Sequence, residues 1–114
     1  LAPFGIIGLE FAWALLYTNL YLKNKISLER LIEAFSYKAR EIFSLPIASI
    51  NNNQTANLTL IAPQYKKLAK KEELYSKSNN TPFLGFELSG WPVLTIWDGD
   101  ITYQDDTFWR NQNA

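Results

Sequence analysis

Apolar residues recur with a helical period through the first third of the chain and with a strand-like period towards its end. Leu9, Trp13, Leu16 and Leu20 lie at helical spacing, which predicts a helix from about Leu9 to Lys23. Phe11, Ala14, Leu15 and Leu22 fall on its other faces. A helix apolar almost all round is either buried on several sides or has lost a partner. Glu10 near its start, and Lys23 and Lys25 near its end, complement the helix dipole. Ser27 is placed to cap a second helix, Leu28 to about Phe35, with Leu28, Leu31, Ile32 and Phe35 facing inward. Ser36 is placed to cap a short third helix, Tyr37 to Phe43, and Pro46 ends the helical half. Pro3, Gly5 and Gly8 mark Leu1 to Ile7 as a loop before the first helix.

The second half changes character. Asn51, Asn52, Asn53 and Gln54 form a polar turn. The run NLTLIA, Asn57 to Ala62, predicts a strand that Pro63 stops. Lys66, Lys67, Lys70 and Lys71 beside Glu72 and Glu73 read as a solvated surface segment, and Ser76 to Thr81 as a polar loop. Strands are predicted over Trp91 to Trp97 and Ile101 to Tyr103, with Asp98-Gly99-Asp100 as the hairpin turn between them. Pro92 is expected at a strand start or edge. Asp105 to Ala114 reads as a polar tail. Three short strands with open edges make a poor sheet alone, so partner strands are expected elsewhere.

Composition narrows the chemistry. The 114 residues include no His, no Cys and no Met, and 11 basic residues balance 11 acidic ones. Without Cys there are no disulfides or thiol nucleophiles; without His there is no histidine metal cluster or general base. The zero net charge argues against nucleic-acid binding. The apolar stretch between Glu10 and Asn19 is too short to cross a bilayer, and the start lacks the features of a signal peptide. A cytoplasmic location is the default expectation. Leu1 is not an ordinary start, so the chain is expected to be a piece of a longer protein.

Six segments resemble one family in order. APFGIIGLE, Ala2 to Glu10, is similar to the P-x-G-x-x-G-L-E loop that leads into the last barrel helix of dihydroorotases and related cyclic amidohydrolases. ISLERLIEAFS resembles the helix that follows, and EIFSLP, Glu41 to Pro46, the element closing the helical part. ANLTLIAP, Ala56 to Pro63, resembles a strand of the family's small β domain. SKSNNTPFLGFELSG, Ser76 to Gly90, and VLTIWDGDITY, Val93 to Tyr103, resemble its later segments. The TPF-x-G part favours dihydroorotase or allantoinase over dihydropyrimidinase. There are departures: Phe11 stands where Thr is usual, Lys38 to Glu41 replace N-P-A-R, Asn57 replaces an Asp, and Asn53 occupies a frequent Gly position.

The resemblance implies an α+β fragment. Residues 1–46 would be the last helices of a (β/α)₈ barrel, 47–104 part of a small β-sandwich domain, and 105–114 a polar tail. It implies a parent enzyme that interconverts N-carbamoyl-L-aspartate and L-dihydroorotate in pyrimidine biosynthesis. Zinc in the parent would activate a water and polarise the amide. The family's metal ligands precede the point matching Leu1, so this chain is expected to hold no catalytic residue and no metal, and to be inactive alone. Its contribution would be substrate binding. Backbone groups of Ile7 and Gly8 would bond the ring, with Ala2, Pro3 and Phe4 lining the same loop. The residues alone leave a second reading, in which Gly5 and Gly8 only shape a helix entry. Implied partners are the rest of the barrel, dihydroorotate or N-carbamoyl-aspartate, aspartate transcarbamoylase, and further copies in a homo-oligomer; no nucleic acid or membrane is implied. A non-catalytic dihydroorotase-like scaffold for aspartate transcarbamoylase, or another cyclic amidohydrolase such as allantoinase, fits the same residues.

Other clusters favour structure over chemistry. Asp98, Asp100, Asp105 and Asp106 lack the ligand alternation of a calcium loop and read as a turn and solvated tail. Trp91, Trp97 and Trp109 read as core or interface aromatics, and Tyr17 and Tyr21 as packing residues one helical turn apart.

Overall fold

The apolar spacing of the first third folds as expected, in one helical run over 9–21. A computed structural model describes residues 5–47 and 49–112. The run opens with a 3₁₀ turn, Leu9–Phe11, continues as α1, Ala12–Leu16, and widens into a π-helical turn, Tyr17–Tyr21. It stops where Asn24 takes a left-handed backbone with φ of 54°. There the Lys25 N–H reaches the Leu20 carbonyl at 2.8 Å and the Asn24 N–H reaches that of Tyr21 at 2.9 Å, which satisfies two carbonyls of the last turn.

Ser27 caps the next helix as its position suggests: its hydroxyl accepts from the Arg30 N–H at 3.2 Å. The third helix is not separate. The run passes from α2, Leu28–Ile32, through a π turn, Glu33–Tyr37, into α3, Lys38–Ile42. Ser36 lies inside that turn and caps nothing, because the backbone is helical on both sides of it. Nor does Pro46 end the helix. The run finishes at Ile42, and Ser44 turns left-handed with φ of 52°. The Leu45 N–H then meets the Arg40 carbonyl at 2.8 Å, closing the end as at Asn24.

The strands are longer than predicted and form a three-stranded antiparallel sheet, ordered β1, Leu58–Leu68, then β2, Glu87–Trp97, then β3, Asp100–Gln104. Pro63 does not stop β1. The register slips between Ala62 and Lys66, so the proline falls in a bulge of an edge strand, where no ladder bond needs its missing N–H. Pro92 is likewise not at a strand start. It sits within the central strand, where Leu60 pairs with Leu94 but Ile61 pairs with Pro92, again at an irregularity. Asn53 has φ of 64°, as its polar turn suggests. Asp98 and Gly99, with φ of 52° and 86°, make the hairpin turn whose twist suits adjacent strands. Asn57 joins this turn, its side-chain oxygen accepting from the Asp98 N–H at 2.9 Å.

The helical run lies on β2. Thr18 Oγ1 accepts from the Ser89 N–H at 2.9 Å, anchoring the π turn to the sheet. Phe11, Ala14, Leu15, Ala69, Leu88 and Trp91 form the core, with the Phe11 and Trp91 rings edge to face at 6.0 Å. The expected polar tail is instead a helix, α4, Asp106–Gln112. Trp109 docks it by donating from Nε1 to the Val93 carbonyl at 3.1 Å, and buried Asp105 caps it, accepting from the Phe108 N–H at 3.0 Å. A polar stretch becomes ordered here because two aromatics and one cap outweigh its exposed face.

Much apolar surface stays open. The accessible area is 8702 Å², against about 6,400 Å² for a self-contained globule of this mass. Leu9 is 89% exposed, Ile47 87% and Ile50 83%, and Ile42 and Phe43 are also exposed. The radius of gyration, 15.6 Å, exceeds the roughly 13 Å of a compact domain of this length. The all-round apolar helix thus has one face on the sheet and others uncovered.

Candidate functional site

The loop before the first helical run is tied to a segment some seventy positions later. The Ile7 N–H donates to the Asn80 carbonyl at 2.9 Å. Asn80 Nδ2 donates in turn to the Gly5 carbonyl at 2.6 Å. Glu10 accepts from the Tyr75 and Ser76 N–H groups at 2.8 and 3.1 Å, one on each carboxylate oxygen. A β-carbon on Gly8 would stand 3.4 Å from the Phe83 ring, at van der Waals contact, so the glycine lies directly against that side chain. The motif-bearing loop and the TPF-x-G segment are therefore two sides of one feature.

Of the sequence-predicted site residues, Ile7 and Gly8 lie in this feature, and Ala2, Pro3 and Phe4 lie outside the described residues. The Ile7 N–H is engaged by Asn80, and the Gly8 carbonyl accepts from the Phe11 N–H at 3.2 Å. The Ile7 carbonyl and the Gly8 N–H are the remaining main-chain groups of the pair. Behind the loop, Ile7, Gly8, Glu10, Phe11 and Leu74 enclose only about 10 Å³, roughly the space of one water.

A larger cleft, about 540 Å³, opens between the start of the helical run, the sheet and α4. Lys67 stands in its wall. Its Nζ lies 3.2 Å from Glu73, 3.0 Å from Asp105 and 4.6 Å from the centre of the Trp91 ring. Burial by itself would lower the Lys67 pKa, but hydrogen bonds to Asp105 and Glu73 and their charges outweigh it and raise it. Burial raises the hydroxyl pKa of Tyr103, and the Asp105 charge adds to this. Lys67, Glu73 and Asp105 thus bind one another. Lys67 and Asp105 correct the surface-run and solvated-tail readings. Lys67 is turned inward because the alternation resumes after the bulge, with Tyr65, Lys67 and Ala69 facing the core side. Asp98, Asp100 and Asp106 are exposed, in keeping with a turn and a solvated surface.

Trp91 is core, Trp97 is exposed, and Trp109 is the half-buried anchor of α4. Tyr17 and Tyr21 pack with ring centres 5.0 Å apart. Among the described residues no group of His, Cys, Asp or Glu side chains is arranged to hold a metal ion, so the donor set they offer does not fit zinc. Among them, too, no helix is long and apolar enough to cross a membrane. Sequence reasoning missed Asn80 as a tether and saw Glu10 only as a dipole partner. The signal available was its place in the G-L-E motif.

No protein-family model matches the chain. Over 104 residues it is 46% identical to a dihydroorotase of Carboxydothermus hydrogenoformans, covering 90% of this chain and 24% of that protein. It is 43% identical over 105 residues to a dihydroorotase of Bacillus subtilis, and 42% identical over 104 residues to one of Brevibacillus brevis. The chain spans about a quarter of the length of these curated relatives. Among solved structures, a D-hydantoinase from a Bacillus sp. AR9 matches with a TM-score of 0.66 and 22% identity, covering 82% of this chain and 21% of that one. At that identity the likeness establishes a shared fold over the matched part. The chain resembles dihydroorotases in sequence, and its small α+β structure shares the fold of the matched part of that D-hydantoinase.

Proposed function

We propose that this chain is the carboxyl-terminal part of a dihydroorotase whose full protein opens L-dihydroorotate to N-carbamoyl-L-aspartate and closes it again. The observation that carries this is 46% identity to a dihydroorotase over 104 residues. The six motif segments, all in family order, support it. Residues 1–46 would close the barrel domain, and 47–112 would complete the small β domain, α4 included. The uncovered apolar faces of the helical runs and of Ile42 to Ile50 would meet the rest of the barrel.

In this reading the chain contributes binding rather than bond-making. Ring opening adds water across the amide: the carbonyl carbon gains the oxygen, the ring C–N bond breaks, and nitrogen gains a proton. A flat ring carries N–H and C=O groups at its edge. The Ile7 carbonyl and the Gly8 N–H of the tethered loop would pair with them. Ala2, Pro3 and Phe4 would extend the same wall. Any zinc of the parent would be held by residues outside this chain. Its pathway place is pyrimidine synthesis, with aspartate transcarbamoylase as the neighbouring enzyme and partner, a homo-oligomer as its assembly, and the cytoplasm as its compartment.

The test is an assay of the full-length gene product for reversible ring opening of L-dihydroorotate, with allantoin and hydantoin as competing substrates. Turnover of dihydroorotate supports the proposal. Turnover of allantoin instead, or of neither, overturns it, and in the latter case the scaffold reading takes its place. The isolated 114-residue chain should show no turnover and no stoichiometric zinc binding by mass spectrometry.

A further inference from the structure

The loop that would read the substrate is held from behind by a segment distant in sequence. Main-chain groups can select a flat ring only when their directions are fixed beforehand, because a loop that must be ordered on binding spends affinity on that ordering. A loop containing Gly5 and Gly8 does not fix itself. Two residues supply what the glycines lack. Asn80 grips the loop twice, through its main-chain carbonyl, which accepts from the Ile7 N–H at 2.9 Å, and through its side-chain Nδ2, which donates to the Gly5 carbonyl at 2.6 Å. Its own backbone is set by Ser78, whose hydroxyl accepts from the Asn80 N–H at 3.2 Å. Glu10, two residues after Gly8, receives the Tyr75 and Ser76 N–H groups on its two oxygens. An anionic acceptor makes such bonds stronger than neutral ones.

We infer that Glu10 and Asn80 are positioning residues for substrate: they touch no substrate atom, but set the direction of the Ile7 carbonyl and the Gly8 N–H. The inference rests on the reading that these two groups face the ring. It adds a role to the Tyr75–Asn80 segment, which acts as the back of the binding loop. The Ile7 N–H is spent on this tether and is unavailable to the ring.

The experiment uses the full-length gene product and four variants: Asn80→Ala, Asn80→Asp, Glu10→Ala and Glu10→Gln. KM for L-dihydroorotate should rise about tenfold in the alanine variants, with kcat within about twofold, because the loop binds ground and transition states alike. Glu10→Gln keeps one accepting oxygen and should recover part of the loss. Asn80→Asp keeps the shape but loses the donor to Gly5, and should behave like Asn80→Ala. Both Asn80 variants keep the main-chain carbonyl that accepts from the Ile7 N–H but lose the side-chain bond to Gly5, so exchange of the Ile7 amide hydrogen should quicken as the loop loosens around the remaining bond. If the alanine variants do not fold, the near-isosteric pair carries the measurement. Faster Ile7 exchange with an unchanged KM overturns this inference alone. So does a loss of kcat that tracks a fall in melting temperature, which marks a general structural role. A wild-type protein without dihydroorotate turnover overturns the underlying functional reading, and this inference with it.

Discussion

The ring of Tyr17 occupies the space that a β-carbon on Gly90 would need. Built there, that carbon would lie 2.4 Å from Tyr17 Cδ1, and Gly90 has φ of 75°, a backbone that side chains resist. The contact seats the π turn of the helical run on β2, one residue from the Thr18–Ser89 bond. Gly90→Ala should therefore destabilise the fold by about 3 kcal/mol, from overpacking plus the strained backbone. Denaturant titration measures this. Adding Tyr17→Ala should recover the overpacking share, giving a coupling of at least about 1 kcal/mol in a double-mutant cycle. Strict additivity would show that the ring is not the obstacle.

Lys67, with its side chain 17% exposed, balances Asp105, at 6%. Lys67→Met leaves Asp105 buried without its cation and should cost about 3 kcal/mol. The pH dependence follows from the raised Lys67 pKa. An unfolded lysine titrates near 10.5 and the folded one higher, so the stabilisation is complete below 10.5. It drains away as pH climbs through the folded value. Tyr65 and Tyr103, raised mainly by burial, act with the same sign above their ordinary 10.0. Melting temperature should accordingly fall more steeply above pH 10.5 in the parent sequence than in Lys67→Met. Parallel curves for the two would remove Lys67 from the account.

Two tryptophans should respond differently to the same substitution. Trp91 Nε1 donates to the Leu88 carbonyl at 2.8 Å within the core. Trp13 Nε1 is buried with no hydrogen-bond partner among the described residues. Trp91→Phe removes this buried bond and opens space in the core, and should cost about 2 kcal/mol or more. Trp13→Phe removes an unsatisfied donor and keeps an aromatic between Tyr17 and Phe35, so the loss should stay under about 1 kcal/mol. Equal losses would mean that the indole N–H of Trp13 is satisfied.

Ser44 closes the second helical run in a conformation that glycine adopts more readily. Its N–H bonds the Glu41 carbonyl at 3.2 Å, so the turn itself survives a change of side chain. Ser44→Gly should stabilise the chain by about 0.5–1 kcal/mol, read as a higher denaturation midpoint. A lower midpoint would show that the serine side chain matters to the turn.

What the sequence by itself determined is local. Helical spacing from Leu9 to Leu20, the Ser27 cap and the Asp98-Gly99 turn depend on residues within a few positions, so the pattern carries them. It misread Pro63 and Pro92 because a bulge, decided by the neighbouring strand, accommodates a residue without an N–H. It misread Lys67 and 105–112 because polar residues look solvated until a partner from another element removes the water. The candidate site divides the same way. The motif containing Ile7 and Gly8 was legible, whereas Asn80, Glu10 and the Tyr75 and Ser76 N–H groups meet only once the first run lies on the sheet. Contacts across some seventy residues follow from how elements dock. Docking is settled by the summed packing of Phe11, Leu15, Leu88 and Trp91, not by any short stretch of chain.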